Sequence, residues 1–208
     1  MKISITQVPQ ADELSKVILA VEAVSQENTT DKRIADYVGF TDRQGRYYRL
    51  AAEILGLLTN DRHYNHASLT DAGRELIVLD ESNRLKKIRT ILKENILFKT
   101  VLGEIEGSRQ GLSRDELLAF LYQTIDGSES TIQRRLSTII NWLTYSSLIV
   151  TDFRETTEEK DRDTVYKIND LLDETDFITP EDFRDSIYPS NYSNEELDIK
   201  ELHTMVVS

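Results

Sequence analysis

Apolar side chains first recur at helical spacing between Ala11 and Ser25. Leu14, Val17, Ile18, Val21 and Val24 fall three and four residues apart there and predict an amphipathic helix. Asn28, Thr29 and Thr30 interrupt the stripe. Thr30 then stands as a cap before a short helical run, Asp31–Val38, which Gly39 closes. Thr41 opens the next run, Asp42–Leu55, and Gly56 suits the left-handed residue that ends many helices. The pattern then turns short and β-like. Leu57–Thr59 and Ala67–Leu69 flank the polar loop Asn60–His66, and Thr70 starts another helix over Asp71–Ile77.

A comparable order returns further along. Asn83–Ile105 reads as one or two helices, with Leu85, Ile88, Ile91, Leu92, Ile96 and Val101 on one stripe. Gly107–Gly111 is a turn, and Ser113 caps Arg114–Gln123 with Glu116 at the capping-box position. Ile125–Ser128 reads as a loop, and Ser130 begins a long helix to about Tyr145. Leu148–Phe153 and Thr164–Ile168 are strand-like around the acid-rich loop Arg154–Asp163. Short helices followed by a two-stranded ribbon give the order of a winged helix, a helix-turn-helix variant. The expected fold is therefore mainly α with small β-hairpin wings. Two tandem winged-helix (helix-turn-helix) modules span 1–80 and 81–168, and an acidic C-terminal segment follows over 169–208, with a short helix over 195–206.

Composition narrows the chemistry. The 208 residues contain no cysteine, which excludes disulfides, a thiol nucleophile and a cysteine zinc site. No apolar run approaches the ~20 residues that span a bilayer, and the first residues lack the apolar core of a signal peptide. A cytoplasmic protein with no membrane partner is expected. The net charge of −12 argues at first against nucleic acid, but it is unevenly spread. Residues 1–80 carry 9 basic and 12 acidic side chains, residues 81–150 carry 10 and 8, and residues 151–208 carry 6 and 17. Most of the excess acid sits in the last part, so the body of the chain is close to neutral.

Two helices stand out as candidate recognition helices. On Asp42–Leu55 the core stripe is Tyr48, Ala51, Ala52 and Leu55, with Gly45 near it. The opposite side carries Arg43, Arg46, Leu50 and Glu53, flanked by Tyr47 and Arg49. On Ser130–Tyr145 the stripe is Ile132, Leu136, Ile139, Ile140 and Leu143. Its opposite side carries Thr131, Arg134, Thr138 and Asn141, flanked by Ser130, Arg135 and Ser137. Trp142 lies off that stripe and reads as a contact between the modules. Arginines and small hydroxyls on an outward face are what phosphate contact and guanine reading require, although such a face is also common on ordinary solvated helices. The first wing adds Arg62, His63, Tyr64, Asn65 and His66. The candidate DNA contacts are thus Arg43, Arg46, Tyr47, Arg49, Arg62, His63, Ser130, Thr131, Arg134, Arg135, Thr138 and Asn141.

Catalysis is not expected. Asp152 with Glu158-Glu159-Lys160 has the residue types of a metal-dependent nuclease site, but it lies on a charged wing tip rather than on adjoining strands. His63 and His66 have no cysteine or paired carboxylate beside them, so no metal site is expected. No phosphate-cradling glycine loop, nucleophile elbow or His-Glu-x-x-His motif occurs, and no cofactor is implied.

The run Asp42-Arg43-Gln44-Gly45-Arg46-Tyr47-Tyr48, continuing through Ile54–Leu57 and Ser68–Arg74, resembles the winged-helix module of restriction-modification proteins. Such modules form the DNA-recognition part of some type II restriction endonucleases. Ser130–Leu143 is similar to the second module of that set, so the resemblance spans residues 10–150. It implies that tandem modules read a short stretch of double-stranded DNA while a separate nuclease domain or subunit cuts. This chain departs from the pattern in having no recognisable nuclease domain. Sequence-specific binding of double-stranded DNA, as a recognition module or subunit, is the expected function. The alternative is a protein-interaction adaptor or regulator whose acidic tail docks a basic partner or mimics DNA.

Overall fold

The computed structural model describes residues 2–61, 63–155 and 162–171, with the side chains of Glu155 and Arg162 excepted. Its first element is a two-residue strand, β1 (Ile3–Ser4), followed by one 3₁₀ turn, Ile5–Gln7. Helix α1 (Leu14–Ser25) starts later than the apolar stripe suggests, and its buried face is Leu14, Val17, Ala20, Val21 and Val24. Helix α2 (Asp31–Val38) is capped by Thr30, whose side chain accepts from Arg33 N at 3.3 Å. Helix α3 (Asp42–Ile54) is fixed at its start by Gln44, whose Oε1 accepts from Thr41 N at 3.2 Å and from Thr41 Oγ1 at 2.9 Å. Gly56 ends that turn at φ +69°, a left-handed conformation.

Helices α2 and α3 cross at close quarters. A Cβ placed on Gly45 would lie 2.3 Å from the Asp31 carbonyl oxygen and 2.7 Å from Ala35 Cβ. Only a missing side chain permits this approach. Gly45→Ala is expected to lower stability by about 1–3 kcal/mol through overpacking, which outweighs the ~1 kcal/mol that alanine gains over glycine in a helix. A urea midpoint shifted down at unchanged slope checks it.

The strands β2 (Leu58–Asp61) and β3 (His66–Leu69) form an antiparallel ribbon with Leu58 opposite Leu69 and Asp61 opposite His66. A further hydrogen bond, Ala67 N to Thr29 O at 2.8 Å, ties this ribbon to the link between α1 and α2. Helix α4 (Asp71–Val78) follows, then α5 (Glu81–Glu94) and α6 (Ile96–Gly107). The long apolar stretch is thus two helices. They divide at Asn95, whose side chain accepts from Leu97 N at 3.1 Å and caps α6.

In the second half, β4 (Leu112–Ser113) precedes α7 (Arg114–Thr124), where Ser113 and Glu116 form the expected capping box. The two residues after α7 are not a free loop: β5 (Ile125–Asp126) pairs in parallel with β1, Ile3 to Ile125. Helix α8 (Glu129–Tyr145) has Ser128 at its N-cap position, so it begins before the expected Ser130. Strands β6 (Ile149–Glu155) and β7 (Arg162–Ile168) form a ribbon that β4 joins on the β7 side, giving the order β4-β7-β6. Asp152 pairs across that ribbon with Lys167 at 2.6 Å. That hydrogen bond holds the Asp152 carboxyl below its ordinary value.

The protein is mainly helical with small sheets, eight α-helices lying among the described residues. Residues 1–169 form one compact unit. Its core runs through both halves: Ile34, Ala51, Ala52 and Leu57 in the first, Phe98, Leu121, Leu136, Ile139 and Val165 in the second. Trp142, fully buried, stacks on Phe98 at 5.5 Å and donates through Nε1 to Ala11 O at 2.8 Å. Helix α5 also bridges, with Arg84 paired to Glu22 and Arg89 Nε donating to Ser146 O at 2.7 Å. Arg62, the tip 156–161 with Glu158-Glu159-Lys160, and residues 172–208 with most of the acidic segment lie outside the described residues. Among the described residues, no helix is long and apolar enough to cross a membrane.

Candidate nucleic-acid interface

Helices α3 and α8 line one groove. Its larger hollow, about 960 Å³, is walled by Arg46, Tyr47 and Leu50 from α3, Thr131 and Arg135 from α8, and the segment from Ile5 to Gln10. Asn60 and Asn65 of the first ribbon line it too, as do Asp31, Arg49 and Glu53. A smaller hollow of about 500 Å³ is lined by Gln10, Asp12, Arg43, Tyr47, Arg134, Arg135, Ser137 and Thr138. Gln10, Tyr47 and Arg135 belong to both, so the hollows meet there. Two helices with 74 residues of chain between them therefore present arginines to a common space.

On α3, Arg43 and Arg46 are exposed and Tyr47 is half-buried. Arg43 Nε donates to Tyr47 Oη at 2.8 Å, and its guanidinium lies 5.6 Å from the centre of that ring, a stacked cation that keeps its charge outward. Arg49 lines the same hollow but is not exposed. It is 4% exposed and held between Asp31 and Glu53 through Nε and Nη1. A guanidinium shared by two carboxylates of the same unit is spent on joining α2 to α3, and the expected role of Arg49 as an exposed contact is corrected accordingly. Arg49→Met would leave two largely buried carboxylates facing each other. A loss of about 3 kcal/mol is expected, measured by urea unfolding, with the affinity of the folded fraction for DNA unchanged.

On α8, Ser130, Arg134 and Asn141 are exposed and Thr131 is half-buried. With Gln133 and Ser137 they form one outward stripe at helical spacing. Arg134 Nε reaches Ser130 O at 3.4 Å, a weak local contact that leaves its charge toward solvent. Thr138 and Arg135 are the exceptions to the expected outward face. Thr138 is 1% exposed and donates to Asp12 Oδ1 at 2.6 Å. Arg135 is 9% exposed. The segment preceding α1 runs against this side of α8, with Ala11 accepting from Trp142, so α8 is covered on two sides rather than one. Burial, and then the positive charge of Arg134, lower the Arg135 guanidinium below its ordinary pKa.

His63 is exposed and packs edge-on against Tyr64 at 4.6 Å. Its backbone N–H donates to Asp61 Oδ1 at 2.9 Å, which shapes the turn rather than the groove. Asn60, Asn65 and Gln10 line the groove instead, and the sequence pattern did not single out Asn60 or Gln10. Polar residues in short loops carry no periodic signal.

A family profile described as a domain of unknown function (DUF7226) matches residues 16–149. The chain belongs to that family. The DUF7226 match begins inside α1 and ends at the first residue of β6, so it contains both groove helices but neither the N-terminal segment nor the second ribbon. No curated protein and no solved structure matches the chain.

Proposed function

We propose that this protein binds double-stranded DNA sequence-specifically, through two tandem winged-helix modules whose recognition helices are α3 and α8. The observation that carries the reading is the shared groove, into which Arg46 and Tyr47 from one helix and Arg135 and Thr131 from the other converge. The strand pattern supports the winged-helix part. In such folds a short strand after the first helix joins the outer edge of the ribbon. Here β4 lies between α6 and α7 and pairs with β7, Leu112 to Tyr166, while Thr29 accepts from Ala67 at the matching place in the first half. Each half thus runs helix, edge contact, helix, helix, ribbon.

The duplex contacts are Arg43, Arg46 and Tyr47 on α3, and Ser130, Thr131, Arg134, Arg135 and Asn141 on α8, with His63 at the ribbon tip. The phosphate backbone takes the arginines as charge-assisted donors, and the N-terminal turns of the helices face base edges. The protein acts as a recognition module in a restriction-modification type of system, with cutting done by a separate nuclease domain or subunit and no catalytic group here. A second reading is favoured by one observation. Val150 and Phe153 are exposed on β6, an edge strand, which suits contact with a protein partner.

Selection of the full chain against a random duplex library in ~0.15 M salt, where screening is physiological, tests the proposal. A sharp consensus is expected. Recovery of an unenriched pool overturns sequence-specific binding and leaves the adaptor reading.

A further inference from the structure

The smaller hollow of the groove is lined by three arginines, Arg43, Arg134 and Arg135, and one acidic residue, Asp12. That is a local excess of positive charge in a chain whose net charge is −12. Asp12 accepts from Thr138 Oγ1 through Oδ1 at 2.6 Å, and its charge offsets that of Arg135 only in part. Arg135 is more than nine-tenths buried, it makes no ion pair among the described residues, and its Nη1 has no hydrogen-bond partner. A buried cationic donor in that state carries a desolvation cost that a bound anion cancels.

Two hydroxyls at the same hollow point to the class of anion. Tyr47 Oη accepts from Arg43 Nε at 2.8 Å, and Ser137 Oγ accepts from Arg114 Nη2 at 2.7 Å. Each hydroxyl is thereby fixed as an acceptor toward arginine, and its own proton is left to donate elsewhere. Three guanidinium forks and two hydroxyl donors suit a tetrahedral oxyanion with several acceptor oxygens better than a planar carboxylate with two.

We propose that this hollow is a phosphate-group site, with Arg135 as its buried anchor and Arg43 and Arg134 as the outer clamps. The site deepens the duplex reading by naming where one backbone phosphate enters between α3 and α8. It rests on that reading only for the source of the phosphate, a DNA backbone as against a free phosphate group.

The test uses the full chain and inorganic phosphate at constant ionic strength, followed by thermal melting. Phosphate is expected to raise the Tm of the wild type saturably, to raise it equally in Arg74→Met, a change on exposed α4, and to leave Arg135→Met unmoved. Without phosphate, Arg135→Met is expected to melt no lower than wild type, because an unpaired buried charge has been removed. A merely structural arginine would give the opposite result. In the duplex arm, phosphate is expected to compete with DNA, and Arg135→Met to bind DNA about tenfold more weakly, one charge-assisted hydrogen bond's worth. A phosphate-dependent Tm rise through Arg135 with no duplex binding keeps the site, assigns it to free phosphate and removes the duplex reading. A wild type that phosphate does not stabilise, with full duplex affinity in Arg135→Met, overturns the proposal and leaves the duplex reading standing.

Discussion

Trp142→Ala is expected to cost about 3–5 kcal/mol of unfolding free energy, as truncation of a buried aromatic does. Against a total stability of ~5–15 kcal/mol for a typical domain, that is the largest single-residue effect anticipated in this protein. Trp142 is fully buried, stacks on Phe98 of α6 at 5.5 Å and donates to Ala11 O at 2.8 Å. It therefore pins the segment before α1 to α8, and with it the side of the groove formed by Ile5 to Gln10. Trp142→Phe keeps most of the stack and loses the hydrogen bond, so about 1–2 kcal/mol is expected for it, since Ala11 O is left without that donor. Urea unfolding followed by circular dichroism measures both, because the substitution removes the chain's one tryptophan. A cost for Trp142→Ala below about 1 kcal/mol, the level of an ordinary substitution, would mean that the two halves are not joined through this side chain.

The second large effect concerns DNA. Arg43→Gln and Arg134→Gln are each expected to weaken duplex binding about tenfold, from one charge-assisted contact apiece. The pair is expected to lose less than the product of the two, because both side chains line one hollow and clamp the same phosphate. Each substitution also reduces the slope of log K against log salt, by up to about one, uniformly across sequences. Both residues are exposed, so stability should stay within about 0.5 kcal/mol of wild type. Fluorescence anisotropy over a salt series measures the affinity and the slope together. Unchanged slopes in both single variants would remove these arginines from the interface.

How far the sequence pattern reached depended on periodicity. The stripes Tyr48, Ala51, Ala52 on α3 and Ile132, Leu136, Ile139 on α8 are all buried, because each is long enough to repeat at helical spacing. Thr30, Ser113 and Thr70 cap the helices they were expected to cap. Strands β1, β4 and β5 were not legible. Each is two residues long, too short for any alternation, and is defined by partners far along the chain: Ile3 by Ile125, Leu112 by Tyr166. The same long-range effect buries three of the candidate site residues. A helical wheel gives the angle at which Arg49, Arg135 and Thr138 leave their helices. It does not show that Asp31 waits 18 residues upstream, or that Asp12 lies 126 residues from Thr138. Which outward and flanking positions stay exposed is decided by what packs beside the helix, here α2 at Arg49 and the N-terminal segment at Thr138. Arg43, Arg46, Arg134 and Asn141, further from the core stripe, are exposed as expected.

In the proposed complex α3 and α8 touch one duplex at the same time. Because the chain contains no cysteine, Asp42→Cys on α3 and Gln133→Cys on α8, both exposed, each offer a unique thiol for an iron chelate that cleaves nearby DNA. On a duplex selected by the protein, both tethered proteins are expected to cut, at places within about one helical turn, ~10 bp, of each other. Cutting by one tether alone, or by neither while the duplex remains bound, would contradict the shared groove as the binding surface.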